Sequence, residues 1–174
     1  MAKVKYSDLI EQTFDFPQEE FDHREDSLFF HGINQMELVE KFGTPLKYTY
    51  LPRIAENIER ARVWFGKAMA KCDYKGKYHY CYVTKSSHYS HVIKQVIDTK
   101  ADLETSSAFD ISIMEKLHDQ AIIYTDQVIL FNCNKNYAYL KKIARLINSG
   151  LTNTNTIVDH AGDIQQMKAY NCLL

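Results

Sequence analysis

One lysine stands where a folded chain could use its amine for chemistry. Lys85 lies at the end of an apolar and aromatic run, Tyr-His-Tyr-Cys-Tyr-Val-Thr-Lys-Ser-Ser at 78–87, which predicts a β-strand. The carboxyl ends of parallel strands hold the catalytic groups of α/β barrels, and an amine held there is suited to bonding covalently to a carbonyl group. The simpler interpretation is a lysine that closes the strand and points to water. Position alone favours that interpretation, because most lysines are exposed.

An acidic residue follows at the end of the next predicted strand. Glu104 lies in the segment Leu-Glu-Thr-Ser-Ser at 103–107. Adjacent parallel strands lie about 4.8 Å apart, so Lys85 and Glu104 could face one ligand. Glu104 could equally be an acid that stabilises the amino end of the following helix. The residue pattern leaves these two interpretations even.

Composition narrows the classes of protein to consider. The chain has 174 residues, a formal net charge of -1 and 45% hydrophobic residues, which together fit a globular domain. Its charges are interspersed and no apolar stretch is long enough to span a bilayer, so we expect neither a nucleic-acid nor a membrane partner. The amino terminus has no hydrophobic signal region, which makes the cytoplasm the simplest location.

Cysteines, histidines and known short motifs add little. The four cysteines form no CxxC pair and are predicted to be small buried hydrophobes. His88 and His91 could share a helix face but have no third ligand nearby, so no metal site is expected. No dinucleotide-binding fingerprint, P-loop or nucleophile elbow is present.

The elements that must position these residues alternate between strand and helix. Residues 1–30 are predicted to be an irregular lead-in that is rich in phenylalanine. Helices are predicted at 35–42, 52–71, 88–97, 107–117, 137–147 and 161–170, and strands at 46–50, 78–87, 101–105, 128–132 and 156–159. The helix at 52–71 carries an apolar stripe that we interpret as core. The alternation predicts an α/β fold with a parallel sheet and roughly four strands from residue 78 onward, where a (β/α)8 barrel has eight.

Three segments, taken in order, resemble a known family. They are Phe-Gly-Thr-Pro-Leu at 42–46, Tyr-Cys-Tyr-Val-Thr-Lys-Ser-Ser at 80–87, and Leu-Glu-Thr-Ser-Ser at 103–107. The set is similar to the amino-terminal part of the decarboxylases that use pyridoxal 5'-phosphate (PLP) within the alanine racemase-like group, which includes arginine, ornithine and diaminopimelate decarboxylases. The lead-in, with Tyr-Ser-Asp-Leu-Ile at 6–10 and Phe-Pro-Gln at 16–18, resembles arginine decarboxylases most.

The resemblance implies roles for particular residues. Lys85 matches the lysine that holds PLP covalently, and Glu104 matches an acid of the cofactor pocket that is aspartate in many relatives. Ser107 matches a serine to which we assign no role. The segment Asn-Cys-Asn-Lys at 132–135 resembles a motif that is commonly Asn-Gly-x-Lys, with Cys133 in place of a glycine. Glycine often serves positions with positive φ.

The resemblance also implies a fold, a reaction and a limit. The fold would be a partial (β/α)8, TIM-type barrel, roughly its first half, at 46–174, preceded by an irregular or helical extension at 1–45. The reaction would be decarboxylation of a basic amino acid, arginine to agmatine, by a cytoplasmic and homodimeric parent enzyme. The phosphate loop, the acid for the pyridine nitrogen and the C-terminal β domain lie beyond residue 174 in full-length relatives, so the isolated chain is expected to be inactive. Two alternatives remain open: a non-catalytic half-barrel or interaction module, and a diaminopimelate- or ornithine-type decarboxylase.

Overall fold

A computed structural model describes residues 20–25, 27–123 and 126–170. Contacts within the chain separate it into two compact units, Met1–Thr49 and Tyr50–Leu174. The expectations for the lead-in at 1–19, including its resemblance to arginine decarboxylases, lie outside the described residues.

The described part of the first unit contains a small antiparallel sheet followed by a helix. The strands are β1 (Phe21–Arg24), β2 (Ser27–Phe30) and β3 (Ile33–Asn34), and the helix is α1 (Gln35–Phe42). The prediction of an extension that is only irregular or helical is therefore wrong for this segment. The β1–β2 turn contains Glu25 at a φ of 55°, a residue type that gives no sequence signal for a hairpin.

Helix α1 has the predicted bounds, and its ends have a local cause. The Asn34 side chain accepts a hydrogen bond from the Met36 backbone N–H at the amino end. Gly43, with a φ of 79°, ends the helix, and its N–H donates to the Val39 carbonyl. The predicted strand at 46–50 is wrong, because these residues pair with no strand of the described chain. Alternation and β-propensity do not make a strand without a pairing partner.

The second unit is an α/β structure around four parallel strands. Its elements in chain order are α2 (Pro52–Lys71), β4 (Cys81–Val83), α3 (Ser90–Asp98), β5 (Asp102–Thr105), α4 (Ala108–Asp119), β6 (Ile129–Phe131), α5 (Tyr137–Asn148), β7 (Thr154–Thr156) and α6 (Ala161–Ala169). The sheet order is β4-β5-β6-β7, with each strand parallel to its neighbour. This confirms the predicted alternation and the parallel sheet of four strands.

The core lies between one face of this sheet and the helices. Leu103, Ile129 and Phe131 are fully buried and pack with buried side chains of α3, α4 and α5. The neighbouring positions Glu104 and Leu130 are only half-buried, because side chains alternate between the two faces of a strand. The face that carries Glu104 is thus the one that the helices leave uncovered.

Two core predictions need correction. On α2 only Ile58 is buried, while Phe65 of the predicted core stripe is 52% exposed and stacks on Tyr78 with ring centroids 4.5 Å apart. An apolar stripe identifies a helix face but not what covers it. Among the described cysteines, Cys72 is exposed and Cys81 and Cys133 are half-buried, so the prediction of buried cysteines is wrong.

Candidate functional site

The carboxyl ends of β4, β5 and β6 bring the candidate residues to one rim of the sheet. Lys85 lies in a short 3-10 turn, Thr84–Ser86, directly after β4. Buried Thr84 fixes this turn, since its hydroxyl donates to the Glu104 carbonyl at 3.1 Å. The Tyr82 hydroxyl donates to the Ser87 carbonyl at 2.9 Å, which fastens the other side of the turn.

The amine of Lys85 has no partner among the described residues. Its side chain is exposed, and within the described ranges 20–25, 27–123 and 126–170 no hydrogen bond or ion pair engages Nζ. Hydrogen bonds therefore hold the backbone turn that carries Lys85, while its amine is accessible to a ligand. A free amine at this position is compatible both with covalent chemistry and with the simpler solvent-facing interpretation.

Glu104 lies on the strand next to Lys85, and its side chain is held by a different neighbour. The register of β4 and β5 pairs Val83 with Glu104, which places both on the same face of the sheet. Lys85 follows Val83 by two residues, but no ion pair joins Lys85 to Glu104. Instead, the Asn132 side-chain N–H donates to Glu104 Oε1 at 2.8 Å.

The loop after β5 is tightly organised and contains one unsatisfied hydroxyl. The Ser107 hydroxyl accepts from the Asp110 N–H at 3.2 Å, and the Asp110 carboxylate accepts from the Ser106 N–H at 3.0 Å. Ser107 thus caps the start of α4, and Asp110 binds the backbone one residue before the cap. Ser106 Oγ is buried and has no hydrogen-bond partner among the described residues. A buried hydroxyl without a partner is costly, so Ser106 is a candidate to contact a ligand at this rim.

A buried tyrosine fixes the end of β5 from the core side. Tyr139 on α5 is fully buried, and its hydroxyl donates to the Thr105 carbonyl at 3.2 Å and lies 3.0 Å from Thr105 Oγ1. Burial raises the pKa of Tyr139 well above its ordinary value, against the opposing effect of its hydrogen bond with Thr105. Tyr139 therefore anchors the strand end that carries Glu104.

The loop after β6 is held by an unusual buried lysine. Lys135 is fully buried, donates to the Cys133 carbonyl and lies 3.8 Å from the Asp159 carboxylate. Lysine is almost never fully buried unless it is paired. Cys133, at the position where the resemblance has glycine, has no positive φ, so a cysteine is accommodated there without backbone strain.

Cys81 and Asp163 also have shifted pKa values. Burial, with the charges of Asp102 and Glu104, raises the pKa of the Cys81 thiol to about 11. Such a thiol is a poor nucleophile near neutral pH, so Cys81 is not a candidate for covalent catalysis. At the start of α6, burial opposes ionisation of Asp163, but hydrogen bonds from the N–H groups of Asp159 and His160 hold its pKa below the usual value.

A cavity away from these residues lies in the second unit. A groove of about 810 Å³ separates α3 from α4 and is lined by Ile93, Phe109 and Ile113 with Lys94 and Lys116. Neither Lys85 nor Glu104 lines it. Among the described residues no three histidines, cysteines or acids are close enough to hold a metal ion, and no helix is long and apolar enough to cross a membrane.

The residues at the rim fit one end of PLP. An amine such as that of Lys85 could bond to the aldehyde carbon, and the Glu104 carboxylate and the Ser106 hydroxyl, at the end of the next strand, are polar groups that could contact the same ligand. The sequence has no glycine-rich loop that could cradle the phosphate. The chemistry of these residues fits the aldehyde end of PLP and not its phosphate end.

Sequence reasoning did not assign roles to Asn132 and Ser106. Asn132 was noted only as part of the segment that resembles Asn-Gly-x-Lys, although its place directly after a strand was a usable signal. Ser106 stands between two recognised positions and carries no signal of its own. Its unsatisfied hydroxyl is visible only once the chain is folded.

Comparison with known proteins supports the fold. No family model matches the sequence, and no curated protein matches it. Among solved structures, the biosynthetic arginine decarboxylase SpeA from Campylobacter jejuni aligns over 88% of this chain with a TM-score of 0.65 and 18% sequence identity. The alignment covers 27% of the SpeA chain, so the present chain spans about a quarter of that enzyme's length. At this identity the likeness shows a shared fold.

Proposed function

We propose that this chain is the amino-terminal half of the barrel of a PLP-dependent amino-acid decarboxylase. The observation that carries the proposal is the free amine of Lys85, held by a fixed turn at the carboxyl end of β4 beside the strand of Glu104. The ordered sequence resemblance and the fold shared with SpeA support the same assignment. The domains would be an extension at 1–45 and the incomplete barrel at 46–174.

The side chains have distinct tasks in this proposal. PLP, when bound, supplies the electron sink that allows a carboxylate to leave an amino acid as CO₂. Lys85 would hold the cofactor through its amine and release it to the substrate. Glu104 would contact the cofactor beside Lys85, in an orientation fixed by Asn132.

Arginine is the proposed substrate of the whole enzyme, which would be a cytoplasmic homodimer. The lead-in residues and the name of the structural neighbour both favour arginine. Substrate choice depends mainly on parts that full-length relatives carry beyond the region matched here. The isolated chain is proposed to be inactive in decarboxylation and to retain the cofactor-anchoring lysine.

A non-catalytic half-barrel that serves as an interaction module is the second candidate. It is favoured by the outer strands of the parallel sheet, because β4 and β7 each pair with only one strand among the described residues. An unpaired strand edge is a template for association. In this alternative Lys85 is a surface lysine with no cofactor.

Covalent trapping separates the two candidates. The folded chain is incubated with PLP, reduced with borohydride, digested and mapped by mass spectrometry, and the same is done with the chain unfolded in urea. We expect the adduct of the folded chain to concentrate on Lys85 and that of the unfolded chain to spread over many lysines. An equal spread in both samples, or no adduct in the folded chain, would reject the decarboxylase assignment in favour of the module.

A further inference from the structure

We propose that Asn132 is a positioning residue, which orients the Glu104 carboxylate within the cofactor site. This inference rests on the proposed function and adds a residue to its site. It follows from two hydrogen bonds that join Asn132 to β5. The Asn132 backbone N–H donates to the Thr105 carbonyl at 2.9 Å, and the side-chain Nδ2 donates to Glu104 Oε1 at 2.8 Å.

The hydrogen bond from Asn132 restrains one oxygen of the Glu104 carboxylate and leaves the other oxygen accessible to a ligand. Glu104 lies on the half-buried face of the sheet that the helices do not cover. A glutamate side chain has several rotatable bonds, so without a partner its carboxylate would sample many positions. Asn132 holds Oε1, while Oε2 has no hydrogen-bond partner among the described residues and is available to a ligand.

The backbone that carries Asn132 is itself fixed. The carbonyl of Cys133, the next residue, accepts from the fully buried Lys135, and Lys135 is paired with Asp159 after β7. A buried ammonium held between a carbonyl and a carboxylate resists displacement, because moving it would leave a charge unpaired. The amide of Asn132 is thus presented to Glu104 from a rigid loop, as a positioning role requires.

The test compares two asparagines: Asn132, which directly follows β6, and Asn155 on the neighbouring strand β7. Asn132→Leu removes the donor to Glu104 at nearly constant side-chain size, and Asn155→Leu is the matched control. Asn155 lies on β7, is exposed, and has no hydrogen bond through its side chain to another described residue. Because a hydrogen bond to a charged group is lost, we expect the Kd for PLP to rise about tenfold in Asn132→Leu and less than twofold in Asn155→Leu. Thermal unfolding of both variants checks that they fold.

A double-mutant comparison distinguishes positioning from a general structural effect. If Asn132 acts through Glu104, Asn132→Leu will weaken PLP binding in the natural chain and will have no further effect in a Glu104→Leu background. Independent weakening in both backgrounds would overturn the inference.

A measurement without PLP tests the hydrogen bond itself. The side-chain amide proton resonances of Asn132 should move upfield in Glu104→Leu, whereas those of Asn155 should stay in place. Unmoved Asn132 resonances would overturn the inference. Absence of an adduct at Lys85 in the natural chain would overturn the proposed function and this inference together. Equally tight PLP binding by Asn132→Leu and Asn155→Leu would overturn this inference alone.

Discussion

Removal of one buried hydroxyl, by Tyr139→Phe, should destabilise the second unit. The Tyr139 hydroxyl is 3.2 Å from the Thr105 carbonyl and 3.0 Å from Thr105 Oγ1. Phenylalanine keeps the buried ring and its edge-to-face contact with Phe131, so the substitution tests the polar contacts alone. Tyr137→Phe is the matched control, since Tyr137 lies on the same helix and is 62% exposed.

The expected loss of stability depends on the hydrogen bonds that the carbonyl and the hydroxyl of Thr105 keep in the variant. The Thr105 carbonyl still accepts from the Asn132 N–H at 2.9 Å, and Thr105 Oγ1 still has the Leu130 carbonyl at 3.4 Å. Neither group is left wholly unsatisfied, so we expect a loss of about 1–2 kcal/mol in the free energy of unfolding. The exposed control should change it by about 0.5 kcal/mol or less.

Urea unfolding followed by circular dichroism measures both variants. A loss of this size should lower the urea midpoint of Tyr139→Phe by about 1 M. Burial raises the pKa of Tyr139 in the folded chain, so its neutral form stabilises the fold fully below pH about 10 and this contribution is lost as pH rises further. As pH rises from about 10 to about 11, Tyr139→Phe should therefore lose less stability than the natural chain. Equal midpoints for Tyr139→Phe and Tyr137→Phe would refute the reasoning.

Further predictions concern a thiol and a carboxylate. Because the pKa of Cys81 is raised to about 11, iodoacetamide at pH 8 should modify exposed Cys72 well before Cys81. The rate of Cys81 modification should rise as pH approaches 11. Comparable rates for the two cysteines at pH 8, measured by peptide mass mapping, would contradict the effect of burial on Cys81. Because the pKa of Asp163 is lowered in the folded chain, its carboxylate stabilises the fold above the unfolded-state pKa of about 4. This stabilisation is lost as pH falls through the folded-state pKa. Asp163→Asn should therefore reduce stability at pH 7, with the difference shrinking below pH about 4; a difference independent of pH in thermal melts would contradict this.

Much of the second unit could be predicted because its local signals agree. The apolar spacing on α3 places Val92, Ile93, Val96 and Ile97 inward, and all four are buried. The helix predicted at 107–117 is α4, and Ser107 caps its start. Alternating helices and strands then required a parallel sheet.

The errors have physical causes that local patterns do not reveal. The last strand was predicted at 156–159, around the apolar pair Ile157 and Val158, but pairing with β6 selects Thr154–Thr156 and leaves Val158 44% exposed. The hairpin of the first unit was missed because its turn uses Glu25 rather than glycine or asparagine. Strand position depends on a partner, which lies elsewhere in the sequence.

In the candidate site, too, residues could be predicted from local sequence, whereas contacts between distant segments could not. Lys85 and Glu104 could be named from their places at strand ends and from the ordered resemblance. The hydrogen bond from Asn132 to Glu104 joins the loop after β6 to β5 and depends on side-chain geometry that spacing does not encode. The burial of Lys135 likewise follows from the packing of two loops.

The most direct test of the central proposal is a PLP titration of two lysine variants. Lys85→Arg keeps the charge at the carboxyl end of β4 but cannot form the covalent bond, and Lys94→Arg changes an exposed lysine on α3 in the same way. The proposal predicts that the visible absorbance band of lysine-bound PLP is lost in Lys85→Arg and kept in Lys94→Arg. A band of equal strength in both variants would contradict the assignment of Lys85 as the cofactor anchor.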